Sequence, residues 1–316
     1  LIAFSLISLT SYLPAFNQNM QTQQITLFDK AIKGGGRAKN DANNKVREEI
    51  LHALSEGKIP AEFYQDATNG TKWTHIKEGF HEKIHELCPL EFDTFKMKRK
   101  GGRNFHYDFD VEYLLSGVLV YSVKLEFKFG TKSIYKLPEI YQKPTDWDII
   151  NGPSYHEYFY DNFLPQILAL DPEAPSLIER DVYIKLVMIV NSKTLPFFHY
   201  LREAKGIESV KRNALIKKSI ADYLKEYGAE IDLAKFNRTI ADTQGGKQYL
   251  LYDPVSKAFY LEQADFSTSS LVYGGVVKNH TIIVNSGKHQ FKLLLRWKNT
   301  NGILKPAWQV SVKPIA

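Results

Sequence analysis

The chain has 316 residues, 44% hydrophobic and 24% charged, with a formal net charge of +6. This composition excludes global disorder and supplies enough apolar material for one large domain or two modest ones. A single cysteine, Cys88, excludes an intrachain disulfide and a cysteine-based zinc cluster.

Residues Leu1 to Phe16 form an uncharged apolar run. It is shorter than the ~20 residues of a membrane span and lacks the basic flank of a signal peptide. A disordered tail or a gene-model artefact is therefore expected, with an intracellular location in cytoplasm or nucleus and no membrane association. The apolar run keeps secretion open as the alternative. Residues 1–40 as a whole read as leader and linker. Gly34-Gly35-Gly36 lacks the Gly-Lys-Ser/Thr ending of a phosphate loop and reads as a hinge.

A helix is expected from Asp41 to Gly57, with Val46, Ile50, Leu51 and Leu54 on one face. A second runs from Trp73 to Leu87 with Ile76, Phe80 and Ile84 at helical spacing. Its His75, His81 and His85 have metal-ligand types but no acid at a third ligand spacing, so they read as an exposed face. Cys88, just beyond, reads as a buried structural thiol.

From Phe92 to Gly130 the apolar period changes from helical to alternating. The segment reads as a three-stranded antiparallel meander, with Gly101-Gly102 and Ser116-Gly117 as turns that permit positive φ. The second strand carries Asp108, Asp110 and Glu112 on one face, and the third carries Lys124, Glu126 and Lys128. A two-residue turn at Ser116-Gly117 sets Asp108 opposite Leu125 and Asp110 opposite Val123. Residues 131–246 read as mainly helical, with helices at 155–170, 177–190, 196–205 and 208–227. From Lys247 the chain reads as strands again. Helices, meander, helices and strands in that order indicate a mixed α/β or α+β fold around one core.

Glu-x-Lys also occurs at Glu56-Gly57-Lys58 and Glu203-Ala204-Lys205, but only Glu126-Phe127-Lys128 lies in a strand paired with an acid-bearing one. Either aspartate, Glu126 and the Phe127 carbonyl offer the oxygen donors that Mg²⁺ (or Mn²⁺) prefers. Such an ion polarises a phosphate and acidifies a bound water, and Lys128 is spaced to orient or deprotonate that water. A solvated, salt-bridged strand face is the competing explanation of the same charges.

The Asp110 to Glu126-Phe127-Lys128 spacing resembles the PD-(D/E)xK nuclease superfamily, whose members include many restriction endonucleases. The resemblance covers about residues 73–170. It implies a restriction-endonuclease-like core, with Asp110 in the first acidic role and Glu126 and Lys128 in the others. Phe109-Asp110 stands where Pro-Asp is often found, which leaves Asp108 as the alternative metal-binding acid. Glu82 and Glu86 would be the helix acids that sometimes assist the metal. The organisation implied is a nuclease core over 41–170, a helical segment over 171–246 and a β-rich region over 247–316. That last region would complete the core or recognise the target.

Between Lys96 and Lys136 nine basic side chains face four acidic ones, so most of the formal charge lies near the proposed site. A basic rim suits a phosphate backbone, double-stranded DNA first, through counterion release. Lys98, Arg99, Lys100, Arg103, Lys132 and Lys136 are the candidate contacts there. Arg296, Lys298 and Asn299, beside Trp297 and Trp308, are candidates for base reading or stacking. A homodimer is one arrangement that such a core allows. The expected activity is metal-dependent DNA cleavage. The alternatives are a non-catalytic nucleic-acid binder with the same basic surface and a carboxylate hydrolase of a sugar or ester. No Gly-x-Ser-x-Gly or His-Glu-x-x-His motif supports a serine hydrolase or zinc protease.

Overall fold

The computed structural model describes residues 25–29, 37–100, 105–203, 206–263, 266, 270–300 and 302–315. The leader run, the glycine hinge, the Gly101-Gly102 turn and Arg103 lie outside them. The fold is mixed α/β, with two five-stranded sheets and, among the described residues, nine α-helices. The first sheet has the order β1-β2-β3-β5-β6 and the second the order β4-β10-β9-β8-β7. The strands are β1 (Thr94–Arg99), β2 (Phe109–Leu115), β3 (Val118–Phe129), β4 (Tyr141–Pro144), β5 (Lys247–Asp253), β6 (Ala258–Gln263), β7 (Val272–Val277), β8 (Thr281–Asn285), β9 (His289–Thr300) and β10 (Ile303–Pro314). Where the order of elements suggested a single core, the chain divides into two compact units.

The first unit comprises residues 1–99, 110–122 and 252–259. Its helices are α1 (Arg37–Ser55), α2 (Ala61–Gln65) and α3 (Gly70–Glu86). The helix α3 starts a turn earlier than its apolar spacing suggested. Asp66 Oδ1 accepts from the Asn69 amide at 2.6 Å, and a Cβ on Gly70 would lie 2.4 Å from the Tyr64 carbonyl oxygen. Only glycine allows that approach. Ile76, Phe80 and Ile84 are buried as their spacing requires, and the Tyr113 hydroxyl from β2 donates to the Ile84 carbonyl at 2.6 Å. The β2–β3 turn is Ser116-Gly117, with φ of 53° and 79°, the left-handed pair of a tight hairpin. Cys88 is half-buried, not enclosed, and its thiol faces the Leu90 carbonyl.

The second unit comprises residues 100–109, 123–251 and 260–316. It contains α4 (Tyr155–Asn162), α5 (Leu164–Leu168), α6 (Arg180–Val187), α7 (Pro196–Glu203), α8 (Gly206–Tyr227) and α9 (Leu233–Gln244). The single helix expected over 155–170 breaks at Phe163, because Pro165 sits where a new helix can start but an old one cannot continue. Phe291, Leu293 and Leu295 of β9 alternate into the core with Trp308, Val310 and Val312 of β10. The sequence reading missed the short α2 of the first unit, the four-residue β4, which pairs with β10, and α9, whose N-cap Asp232 accepts from the Lys235 amide at 2.8 Å.

Candidate active site

The charged hairpin face divides between the units. Asp110 and Glu112 belong to the first, and Asp108, Lys124, Glu126 and Lys128 to the second. In the second unit Leu125 and Phe127 are buried from one side of β3, and Glu126 and Lys128 project from the other, as strand alternation requires. The strand expected from Asn104 is shorter: residues 106–108 bend before β2 begins. Asp108 still pairs with β3, its amide donating to the Leu125 carbonyl at 3.0 Å, the partner that the two-residue turn predicts. Its carboxylate turns onto the strand, where Oδ2 accepts from the Phe127 amide at 2.9 Å. Asp108 is thereby fastened to the middle residue of the Glu-x-Lys triplet.

Glu126 is 8% exposed and pairs with two ammonium groups. Lys128 binds one carboxylate oxygen, and the Lys247 Nζ lies 3.5 Å from the other. Lys247 opens β5, which lies beside β3, and its Nζ also donates to the His106 carbonyl. At 3% exposure it is a buried cation. Nothing in the sequence marked it, since a lysine at the mouth of the apolar strand QYLLYD reads as a solvated strand end. The two lysines titrate in opposite directions. Burial pulls the Lys128 ammonium down, but the Glu126 and Asp108 carboxylates outweigh it and hold the group above the ordinary lysine range. Burial also pulls Lys247 down; Glu126 opposes it and Lys128 reinforces it, so Lys247 stays below the ordinary range. The His106 ring is held below the usual imidazole value by burial and then by Lys143 and Lys247, against the pull of Glu126.

Among the described residues no group of three or more His, Cys, Asp or Glu side chains is arranged to hold a metal. The oxygen donors at hand are the Asp108 and Glu126 carboxylates and the Phe127 carbonyl. A small hard cation that keeps several waters fits such a set, and it would enter by displacing an ammonium from Glu126. Glu82 and Glu86 flank Lys83 on the exposed face of α3 and pair with it at 3.0 and 2.6 Å. His75 and His85 are exposed there too, whereas His81 is half-buried against the Leu54 carbonyl at 3.3 Å.

The basic residues separate into distinct groups. Lys98 and Arg99 of β1 pair with acids of their own unit, Glu112 at 2.6 Å and Glu49 at 3.3 Å. Lys100 lies over the Phe105 ring and Lys132 over the Tyr260 ring, at 4.9 and 5.7 Å from the centroids. Lys136 is exposed in a 3₁₀ turn. In the C-terminal group, Arg296 is exposed and donates to Gln309 at 3.2 Å, and Asn299 accepts from the Gly302 amide to brace the β9–β10 turn. Lys298 corrects the sequence reading. It is 1% exposed and donates to Glu139 at 2.6 Å and to Gln142, so it is an interior cation. Trp308 is buried, whereas Trp297 is half-buried with its indole donating to the Tyr155 hydroxyl at 3.1 Å. Among the described residues no helix is long and apolar enough to cross a membrane.

Comparisons of the chain with protein-family models, with curated proteins and with solved structures found no match.

Proposed function

We propose that the protein is a metal-dependent DNA endonuclease, with a core of the PD-(D/E)xK kind. The observation that carries this reading is the bond from the Phe127 amide to Asp108 Oδ2, which joins the acid in the bend before β2 to the Glu-x-Lys triplet of β3. The order of elements agrees: helix α3, the β1–β2–β3 meander, further helices, and then β5 beside β3. Asp108 and Glu126 are the metal-holding pair, with the Phe127 carbonyl beside them. Asp108 takes the first acidic role because its carboxylate is fastened to the Glu-x-Lys strand.

A divalent cation bound there supplies Lewis acidity at the scissile phosphate and lowers the pKa of a water. Lys128, beside the Glu126 carboxylate, is placed to orient the attacking water and to stabilise the phosphate oxygens as charge builds on them. Lys247 sits behind Glu126 and fixes that carboxylate's orientation, a positioning role.

Incubation of the full chain with supercoiled plasmid and Mg²⁺ tests the reading. Nicking that EDTA abolishes, and that Glu126→Gln and Lys128→Gln each reduce at least a hundredfold, is expected from the loss of one transition-state contact, about 10²–10³. Salt-sensitive DNA binding without turnover, unchanged by EDTA, would instead favour a non-catalytic binder.

A further inference from the structure

Beside the proposed centre, and wholly within the second unit, lies a cleft of about 250 Å³. Its walls include Phe105, His106, Tyr107, Lys124, Asp242 and the buried Lys247. The volume falls below the roughly 300–1,000 Å³ of pockets for drug-sized ligands and suits a single flat heterocycle.

Three kinds of group meet there. Phe105 and Tyr107 are edge-to-face rings with centroids 5.7 Å apart, and Phe105 is 39% exposed. Lys124 places its ammonium 5.8 Å from the centroid of the Tyr107 ring, at the open side. The C-terminal end of α9 also lines the cleft, with Asp242, Thr243 and Gly245. A helix C-terminus and a carboxylate present acceptors. A nucleobase answers both kinds of group: its face stacks on an aromatic ring and its amino edge donates to the acceptors, with its phosphate near Lys124.

We infer that the cleft receives one unpaired, amino-bearing nucleobase of the substrate strand, so that the preferred substrate carries a single-stranded segment at the cut. The inference rests on the nuclease reading above and deepens it, since a paired base presents neither its face nor its Watson–Crick edge. The acceptor wall favours adenine and cytosine over thymine, which has no exocyclic amino group.

The test uses the full wild-type chain in EDTA, so that no strand is cut. Fluorescence anisotropy measures its affinity for labelled oligo-dA, oligo-dC and oligo-dT of about a dozen nucleotides, and for a blunt duplex of the same length. The single strands of dA and dC should bind about tenfold more tightly than the duplex, and Phe105→Leu or Tyr107→Leu should erase roughly that factor, the size of one base–aromatic stack. Asp242→Asn, at an exposed helix end where folding is not at risk, should narrow the preference for dA and dC over dT. Equal affinity for single strand and duplex, or ring variants that fold and bind like the parent, would overturn the inference. So would an Asp242→Asn variant whose base preference is unchanged. Plasmid nicking separates the two ideas. Nicking without strand preference removes this inference alone, and strand preference without nicking removes the nuclease reading alone.

Discussion

Replacing Lys247 by Met should leave the protein about as stable as before, whereas Glu126→Gln should destabilise it strongly, although the two groups form one ion pair. At 3.5 Å and an effective dielectric near 20, the attraction between Glu126 and Lys247 is roughly 5 kcal/mol. Against it stands the desolvation of an ammonium that is 3% exposed, and the sign of the balance is visible in the lysine itself. Its pKa is lowered, so burial together with the repulsion of Lys128 outweighs the attraction, and the charged form is penalised overall. Methionine fills the same volume without that penalty. The lost bond to the His106 carbonyl is replaced by water, since His106 is exposed. The net change should lie within about 1 kcal/mol of zero, in line with buried ion pairs replaced by apolar side chains. Removing Glu126 instead leaves two neighbouring ammonium groups without their shared carboxylate and should cost about 3–5 kcal/mol. Urea unfolding followed by circular dichroism, with m checked for constancy, reads both variants. A Lys247→Met variant destabilised as much as Glu126→Gln would refute the argument, because attraction would then exceed desolvation. The same substitution removes a competitor for the Glu126 carboxylate, so half-saturation by Mg²⁺ should shift to lower concentration.

Other consequences are independent of the chemistry. His81 is held below the ordinary imidazole pKa, first by burial and then by Lys77 and His85, against the Leu54 carbonyl. The unfolded chain therefore binds its proton more readily, so the stability His81 contributes is complete above about pH 6.5 and falls as pH drops towards the lower folded value. A His81→Gln variant should show a flatter dependence of Tm over that window, and an unchanged slope would exclude His81 as the source. Gly70→Ala drives a methyl group to 2.4 Å from the Tyr64 oxygen and should cost about 1–3 kcal/mol in thermal or urea unfolding; a neutral result would mean that the α2–α3 junction yields freely. Lys136→Ala should lower the salt slope of DNA binding by about one, while Lys298→Gln should lower stability and leave that slope alone. The reverse pattern would return Lys298 to the binding surface.

Local signals in this chain were strong where period and turn chemistry agreed. Ser116-Gly117 fixed a tight hairpin, and with it the pairing of Asp108 with Leu125, from sequence alone. Legibility failed where a side chain's fate depends on a distant element. Lys298 stands in LLLRWKN like any outward-facing strand lysine, and Glu139 and Gln142, far away in sequence, hold it as an interior cation. Lys247 is invisible for the same reason, its burial being set by the neighbouring strand that carries Glu126. The aspartate was ambiguous because alternation places Asp108 and Asp110 on one face, while the bend at residues 106–108 releases Asp108 from that pattern and turns its carboxylate onto Phe127.

That aspartate also provides the most direct test of the site. Initial rates of plasmid nicking in Mg²⁺ are compared for wild type, Asp108→Asn and Asp110→Asn at equal protein concentration, with folding verified by circular dichroism. The account predicts that wild type nicks, that Asp108→Asn loses roughly a hundredfold or more, and that Asp110→Asn stays within a few-fold of wild type. No nicking by wild type, or loss confined to Asp110→Asn, would contradict it.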